Sequence, residues 1–288
     1  MREADPEGLR RFGARVDFGK TATDYATHRA GFPPAFFDAL SQRGYLTPGH
    51  SAVDLGTGTG TVARGLARHG LRVTGIDPAP DLLEAARKLD HAETLDVTYQ
   101  TGTAERTGLP DDCADVLTAG QCWHWFDRAR AAREAARLLR PGGRIVIAHF
   151  DWVPLVGSLV AATEDLILRY NPEWAGAGGT GLYPQWLSDL TEAGFSAIET
   201  ASFDIAQPYS AIGWRGRIRA SAGVAASLSA EDVARFEADL AAMMRETFPQ
   251  EPVICPHRVW WVTGQSPSGF QGRRPARLPA RADEHPKK

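Results

Sequence analysis

Cysteine and unbalanced charge are both scarce in this sequence, and each scarcity excludes a class of protein. The chain has three cysteines among 288 residues, at positions 113, 122 and 255. Their wide spacing excludes a disulfide framework or a zinc knuckle and fits a reducing cytoplasm. The formal net charge is −3, and so small an imbalance argues against the concentrated basic face that nucleic acid binding requires.

Long apolar runs and clustered metal ligands are also missing. No stretch reaches the length of about 18 apolar residues that a membrane-spanning helix requires. The first residues, MREADPEGLRR, lack the apolar centre of a signal peptide. The eight histidines are scattered, without a pair at the spacing that binds a metal ion on a helix. We therefore expect a cytoplasmic protein with a small-molecule substrate and no metal ion, nucleic acid or membrane partner.

The stretch from Val53 to Asp77, VDLGTGTGTVARGLARHGLRVTGID, carries the most specific pattern in the chain. It predicts an apolar strand, a glycine-rich turn, a helix and a second apolar strand. Gly56, Gly58 and Gly60 alternate through the turn, where glycine permits positive φ and the close approach of a ligand. The helix N-terminus offers free N–H groups, and the Asp77 carboxylate can accept hydrogen bonds from both hydroxyls of a ribose. The pattern therefore predicts a nucleoside-binding βαβ unit.

The spacing of the glycines separates two kinds of nucleoside site. Dinucleotide folds use G-x-G-x-x-G, whereas this chain has G-x-G-x-G preceded by Asp54. The variant D-L-G-T-G-T-G resembles motif I of the class I S-adenosylmethionine-dependent methyltransferases. The run EAARLLRPGGRIVIA, residues 134–148, resembles the helix, turn and strand that follow motif IV of that family. The resemblance implies S-adenosylmethionine as the cofactor, with Asp54 orienting its methionine end and Asp77 holding its ribose.

The resemblance also implies an α/β fold with a Rossmann-like, seven-stranded, mostly parallel sheet, helices on both faces and a helical substrate lid. In many relatives a Tyr-then-Arg segment folds over the cofactor, and Tyr25 and Arg29 fit that arrangement. A helix packed on the core sheet is the alternative for this segment. We divide the chain into an N-terminal helical lid segment, a cofactor-binding core, the rest of the sheet with substrate-lid insertions, and a disordered tail: 1–45, 46–152, 153–264 and 265–288.

The turn after the third strand cradles the adenine in this family and often reads Gly-Asp-Ala. This chain has Gly102-Thr103-Ala104-Glu105 instead, so the acid is missing from the middle position. Thr103 or Glu105, beside Ala104, must then supply any polar contact to the adenine amine. Gln121, which follows the fourth strand directly, is also assigned to the cofactor site.

Aromatic residues and a histidine follow the fourth strand in the run QCWHWFD, residues 121–127. Ligands bind at the carboxyl ends of parallel strands, so this run is expected to border the reactive centre. Trp123 offers an aromatic face for the cationic sulfonium or a planar acceptor, and His124 is a candidate general base. The alternative places Trp125 and Phe126 in the core under the next helix, with His124 satisfied there.

The fifth strand ends with a second histidine, in the run His149-Phe150-Asp151-Trp152. Alternation along a strand puts His149 and Asp151 on one side of the sheet and Phe150 on the other. His149 is the second candidate base, with a position in the neighbouring helix layer as the alternative. Trp152 is a candidate substrate contact at the same edge.

A tryptophan and three arginines lie in an insertion before the last strand, in the run WRGRIR, residues 214–219. If this segment is helical, Arg215 and Arg219 share a face and Arg217 points elsewhere. Two guanidiniums beside Trp214 would suit a substrate carboxylate. Salt bridges to the acidic helix at 231–239 are the alternative.

The function predicted from these features is methyl transfer from S-adenosylmethionine to a small molecule, leaving S-adenosylhomocysteine. The run at 123–127 and the arginine-bearing insertion make the chain look like the trans-aconitate-methyltransferase-like group. That resemblance suggests a carboxylate or hydroxyl oxygen as the acceptor, and secondary metabolism as the setting. Transfer to nitrogen or carbon of a natural-product intermediate is an alternative. An NAD(P)-dependent oxidoreductase and a cofactor-binding protein without turnover are alternatives from other classes.

Overall fold

The structure is a computed structural model that describes residues 31–221, 223–225 and 227–267. Tyr25, Arg29 and almost all of the predicted tail lie outside these residues. Seven strands are described: β1 Ser51–Leu55, β2 Arg72–Asp77, β3 Val97–Thr101, β4 Ala114–Gly120, β5 Leu139–Trp152, β6 Ser196–Tyr209 and β7 Val253–Gln265. The described α-helices are α1 Pro34–Gln42, α2 Thr61–Arg68, α3 Pro80–Glu93, α4 Arg128–Leu138, α5 Leu159–Tyr170, α6 Trp186–Glu192, α7 Ala211–Arg219 and α8 Ala230–Thr247.

The strands form one sheet in the order β3-β2-β1-β4-β5-β7-β6. Pairing is parallel from β3 to β5, and β7 runs antiparallel between β5 and β6. The expected mostly parallel, Rossmann-like sheet is therefore confirmed, with β7 beside β6 as the sequence predicted. Asp54 in β1 is level with Gly75 in β2 and Thr118 in β4, so the glycine-rich turn leaves the sheet at the carboxyl ends of its parallel strands.

Polar side chains begin several of the helices as the sequence predicted. The Asp127 carboxylate accepts from Arg130 N at 3.1 Å and begins α4, and Ser229 Oγ accepts from Asp232 N at 3.1 Å and begins α8. Such caps typically contribute about 1 kcal/mol each, because they satisfy N–H groups that have no partner within the helix. In the described part of the chain, no helix combines the length and apolar character that crossing a membrane requires.

Each face of the sheet carries its own apolar core. The core on one face includes Trp123, Trp186 and the alanines of α4, and the other includes Phe36, Phe37 and residues of α2 and α3. Helix α1 thus buries its aromatic side against the sheet. The segment with Tyr25 and Arg29, for which a lid or a core-packed helix was predicted, lies outside the described residues.

A third core lies within α5, α7 and α8, the helices that follow β5 and β6 in the chain. Trp174, Trp214 and Phe236 are buried there, and Tyr209 at the end of β6 and Val253 at the start of β7 contact the same core. The end of β5 pairs with His257, whereas the end of β6 pairs with Val253, so β6 and β7 extend about four residues beyond β5 and this helical cap sits at the carboxyl edge of the sheet.

Strand β6 continues to Tyr209, which is paired with Val253 of β7. The neighbouring strand supplies the hydrogen bonds that let residues 204–209 remain extended. The chain then becomes helical at Ala211, so the predicted arginine-bearing insertion, residues 214–219, lies in α7.

Candidate active site

Asp54 is buried beneath the glycine-rich turn, with 1% of its surface exposed. Its carboxylate accepts hydrogen bonds from Thr57 Oγ1 at 2.6 Å and Thr118 Oγ1 at 2.7 Å. Burial raises the pKa of Asp54 to about 6, and the two hydroxyl hydrogen bonds act in the opposite direction. Both carboxylate oxygens are thus engaged within the protein, and Asp54 joins the turn to β4.

Asp77 lies at the end of β2, directly beside the turn. Its two carboxylate oxygens accept from Gly58 N and Ala79 N, each at 2.9 Å. Each carboxylate oxygen can accept a further hydrogen bond, because one N–H uses only one of its lone pairs. The carboxylate is therefore oriented by the backbone and retains acceptor capacity for a pair of ribose hydroxyls.

The three glycines of the turn have different surroundings, although all have positive φ. A Cβ added at Gly56 would meet the Cys122 side chain at 2.9 Å, and one added at Gly60 would overlap the Tyr99 hydroxyl. A Cβ at Gly58 would meet nothing within 4 Å. Gly56 and Gly60 are thus required by packing, whereas Gly58 faces open space beside Asp77, where a nucleoside fits.

We expect Gly60→Ala to lower the free energy of unfolding by about 2–4 kcal/mol, from left-handed backbone strain and overlap with Tyr99. Gly49→Ala is the matched control, because Gly49 has φ +85° and open space around it. Strain alone should cost the control about 1 kcal/mol. Urea unfolding measures both variants, and equal losses would contradict the packing role of Gly60.

The turn after β3 is anchored to α4. Glu105 Oε1 accepts from Asp127 N at 2.9 Å, so the carboxylate proposed for the adenine amine is bonded to the start of α4. Thr103 is exposed and Ala104 is buried against the core. Among Thr103, Ala104 and Glu105, Thr103 is therefore the polar side chain that is exposed and not bonded to α4.

Glu134 of α4 holds the segment that follows this turn. It accepts from Thr107 N and Thr107 Oγ1, at 2.9 and 2.6 Å, and from Arg137 Nε at 2.9 Å. Burial alone would raise the pKa of Glu134, but the hydrogen bonds from Arg137 and Thr107 outweigh it and lower the pKa to about 2.

We expect Glu134→Gln to lower the free energy of unfolding by about 1–2 kcal/mol at neutral pH, after allowance for solvent screening. Because folding lowers the pKa of Glu134, its carboxylate stabilises the folded state fully above the ordinary pKa of 4.5. That stabilisation is lost as the pH falls toward about 2. The difference between wild type and variant should therefore shrink across this window. Urea unfolding at several pH values tests this, with the exposed Glu84→Gln as control; a constant difference would contradict it.

The end of β4 buries one tryptophan and exposes another. Trp123 is 0% exposed, and its Nε1 donates to Asp189 Oδ2 at 2.9 Å. Trp125 is 36% exposed and lies 4.6 Å from His124 between ring centroids. The prediction that Trp123 contacts the substrate is therefore wrong, because the short 3-10 turn at 123–125 rotates Trp123 into the core.

Gln121 joins β4 to β5 at this point. Its backbone has φ +60°, uncommon for a residue with a side chain. Its N–H donates to Ala148 O at 2.8 Å, and its side-chain Nε2 donates to Phe150 O at 2.7 Å. These bonds hold the segment with His124 against the end of β5.

The end of β5 carries a histidine oriented by a carboxylate. His149 Nδ1 lies 3.1 Å from Asp151 Oδ2, and the Tyr183 hydroxyl donates to the same oxygen at 2.6 Å. The predicted alternation is confirmed, since Phe150 packs into the core on the opposite face. The His149 ring lies 5.2 Å from that of His124, so the two candidate bases are neighbours.

Two aromatic residues of this group were missed from the sequence. Tyr183 and Trp186 stack at 4.3 Å with an interplanar angle of 8°, and their rings lie 4.3 and 5.0 Å from His149. Tyr183 lies just before α6 and Trp186 is its first residue, more than thirty positions after His149 in the chain. The signal available in the sequence was a pair of aromatic residues after a glycine-rich loop. That signal did not indicate that they pack against β5.

The arginines of α7 divide as the helical spacing predicted, and the salt-bridge alternative is the one that the structure shows. Arg215 Nη2 and Arg219 Nη1 lie 2.9 and 3.5 Å from Glu237 Oε2 on α8. Trp214 is 0% exposed and donates from Nε1 to Thr163 Oγ1 at 3.1 Å. The structure corrects the predicted carboxylate clamp: Arg215 and Arg219 form salt bridges with α8, and Trp214 belongs to the cap core.

Arg217, the third arginine of α7, lies over Trp152. Its guanidinium carbon is 4.7 Å from the centre of the Trp152 ring, and Trp152 Nε1 donates to Glu164 Oε1 at 2.7 Å. In the described ranges, no group of three His, Cys, Asp or Glu side chains has an arrangement that could hold a metal ion.

The sheet order, the glycine-rich turn and the acid ending β2 define a Rossmann-like fold. Comparison with known families matches residues 53–147 to the methyltransferase domain. An uncharacterized methyltransferase of Mycobacterium tuberculosis is 32% identical over 196 residues, covering 61% of this chain and 75% of the relative. A ubiquinone biosynthesis O-methyltransferase of Xanthomonas oryzae is 29% identical over 200 residues, covering 65% and 77%.

A solved structure shows the same fold. A protein from Anaeromyxobacter dehalogenans, proposed to be a type II methyltransferase, superposes with a TM-score of 0.59 at 25% identity, covering 84% of this chain and 99% of that one. This chain belongs to the class I S-adenosylmethionine-dependent methyltransferases.

Proposed function

We propose that this methyltransferase acts on a hydroxyl oxygen of a small-molecule acceptor. The observation that carries the proposal is the group formed by His149, Asp151 and Tyr183 at the carboxyl end of β5. A carboxylate acceptor is already ionised at neutral pH and requires no base. A hydroxyl must lose a proton as its oxygen is methylated, and an oriented histidine can accept that proton.

Asp151 fixes which nitrogen of His149 is the base. With Nδ1–H donated to Asp151 Oδ2, the lone pair of the ring is on Nε2, as the hydrogen-bond arrangement assigns. Nε2 is buried and has no hydrogen-bond partner among the described residues. When Nε2 takes the acceptor proton, the Asp151 carboxylate stabilises the imidazolium that results. The Tyr183 hydroxyl holds that carboxylate in place.

The other residues of the site would bind and align the reactants. S-adenosylmethionine, when bound, supplies a methyl group already activated by its sulfonium, so the protein's main tasks are alignment and exclusion of water. We assign the ribose to Asp77, the space beside Gly58 to the nucleoside, and Asp54 to positioning the turn. The stacked rings of Tyr183 and Trp186 provide a flat wall for a planar acceptor.

Two similarities support an oxygen acceptor. The relative from Xanthomonas oryzae is named an O-methyltransferase, and the sequence resemblance to the trans-aconitate-methyltransferase-like group also suggests oxygen. Within that class, the histidine–carboxylate pair favours a hydroxyl over a carboxylate. His124 is then a neighbour that shapes the site beside His149 rather than the principal base.

Methyl transfer from ¹³C-methyl S-adenosylmethionine to a panel of phenols, carboxylic acids and amines tests this proposal. We expect ¹³C-methyl ethers that survive mild alkali, and no product from phenols whose hydroxyl is already methylated. Methyl esters, which alkali hydrolyses, would show a carboxylate acceptor and contradict the proposal. Methyl signals on nitrogen or carbon would contradict it as well.

A further inference from the structure

Arg217 is the arginine of α7 that has no acidic partner in the described part of the chain. Arg215 and Arg219 lie within 4 Å of Glu237, whereas no carboxylate oxygen of the described residues lies that close to the Arg217 guanidinium. Burial lowers the pKa of Arg217, and the Tyr209 and Asp151 side chains act in the opposite direction. A guanidinium remains charged nonetheless, so α7 presents a cation that forms no ion pair with the described residues.

The groups around Arg217 orient the guanidinium without neutralising it. Arg217 donates to Tyr209, and the Tyr209 hydroxyl lies 3.3 Å from His257 Nε2. His257 Nδ1 lies 3.1 Å from Cys255 O, so its proton is on Nδ1 and Nε2 accepts from Tyr209. Burial lowers the pKa of His257 to about 4, and His257 is neutral at neutral pH. A guanidinium has five N–H donors, and most remain for a ligand.

The Arg217 guanidinium lies over the face of the Trp152 ring. The Arg217 carbon lies 4.7 Å from the ring centre, a distance at which the face of the ring attracts the guanidinium. Trp152 is itself fixed by its hydrogen bond to Glu164. A planar, oriented fork with free donors is the arrangement that binds a carboxylate through two parallel hydrogen bonds.

The cation and the proposed base occupy the same edge of the sheet. Trp152, under Arg217, directly follows Asp151 in β5, and Asp151 is close enough to Arg217 to influence its pKa. A molecule held at Arg217 therefore lies at the same strand end as the His149–Asp151 pair. The two groups are on opposite faces of β5, which suits an acceptor that spans the strand end.

We propose that Arg217, stacked on Trp152, binds an anionic group of the acceptor, most simply a carboxylate, so that the natural substrates are small hydroxy acids. This inference rests on the proposed function for the position of the hydroxyl, but the anion site itself does not depend on turnover. It also reassigns the carboxylate recognition expected of Arg215 and Arg219 to the arginine between them.

Calorimetric titration of the full chain, loaded with S-adenosylhomocysteine, tests the anion site directly. The probes are benzoate, cinnamate and succinate, each against its uncharged alcohol. We expect at least one acid to bind about tenfold or more tighter than its alcohol, and Arg217→Gln to abolish that preference. Arg169→Gln, which removes an exposed arginine from α5, should preserve it. Phenyl phosphate in place of benzoate separates a carboxylate site from a phosphate site.

Arg217→Lys is the control for a general loss of folding in Arg217→Gln. It keeps the charge and removes the planar fork, so acid binding should fall less than in Arg217→Gln while cofactor affinity is unchanged. No preference for any acid in wild type, or a preference that survives in Arg217→Gln, overturns the inference. Failure of hydroxyl methylation with the acid preference intact would overturn the proposed acceptor chemistry alone.

Discussion

Asp77→Ala is expected to weaken the binding of S-adenosylmethionine and S-adenosylhomocysteine by about 100-fold or more. The substitution removes two contributions of the Asp77 carboxylate to cofactor binding. The carboxylate would accept charge-assisted hydrogen bonds from both ribose hydroxyls, each worth about 1.5–3 kcal/mol. It also accepts from Gly58 N and Ala79 N, so the turn that faces the nucleoside loses its anchor in the variant. Calorimetric titration with both nucleosides measures the loss.

Asp81→Ala is the matched control for this experiment. Asp81 is exposed in the first turn of α3, four residues after Asp77. It carries the same charge without contacting the glycine-rich turn through any hydrogen bond described. Cofactor affinity should be unchanged in this variant. Equal affinity in wild type and Asp77→Ala would refute the ribose assignment, and binding of NADH instead would support the oxidoreductase alternative.

The βαβ unit was predictable because its pattern is local. The turn depends on glycines at three alternate positions, all of which have positive φ in the structure. The apolar strands on either side are buried, and neither feature depends on distant residues. The same holds for Asp127 and Ser229, whose side chains bond to an N–H three positions later.

The roles of the aromatic residues were not predictable, because they depend on partners far along the chain. Trp123 and Trp125 are two positions apart, and the sequence favoured Trp123 as the substrate contact. Asp189, from a helix more than sixty positions later, accepts from the Trp123 indole and stabilises it in the core. Strand alternation cannot distinguish the two residues either, because the 3-10 turn between them has a different period.

The roles of the arginines in the insertion also depended on a partner far along the chain. Helical spacing correctly separated Arg217 from Arg215 and Arg219, because the three residues share one regular element. It could not show which face met Glu237 on α8. The pair that looked like a substrate clamp is neutralised within the protein, and the residue left out of that clamp retains its donors.

His149→Gln is expected to reduce kcat for methyl transfer by about 10²–10⁴-fold. Glutamine can keep a hydrogen bond to Asp151 but cannot accept a proton, so the acceptor hydroxyl would remain protonated. The affinity for S-adenosylmethionine should not change, because β5 contributes no side chain to the nucleoside contacts assigned here. Steady-state rates and calorimetry together separate the two quantities.

Tyr183→Phe tests whether His149 is a base that depends on its orientation by Asp151 or a histidine with a packing role only. Phenylalanine keeps the stacking on Trp186 and removes the hydrogen bond to Asp151, which should cost about 1 kcal/mol, or roughly fivefold in kcat. The exposed His91→Gln should behave as wild type. Full activity in His149→Gln would remove the basis for preferring a hydroxyl acceptor, and an acceptor that is already ionised would then explain the chemistry.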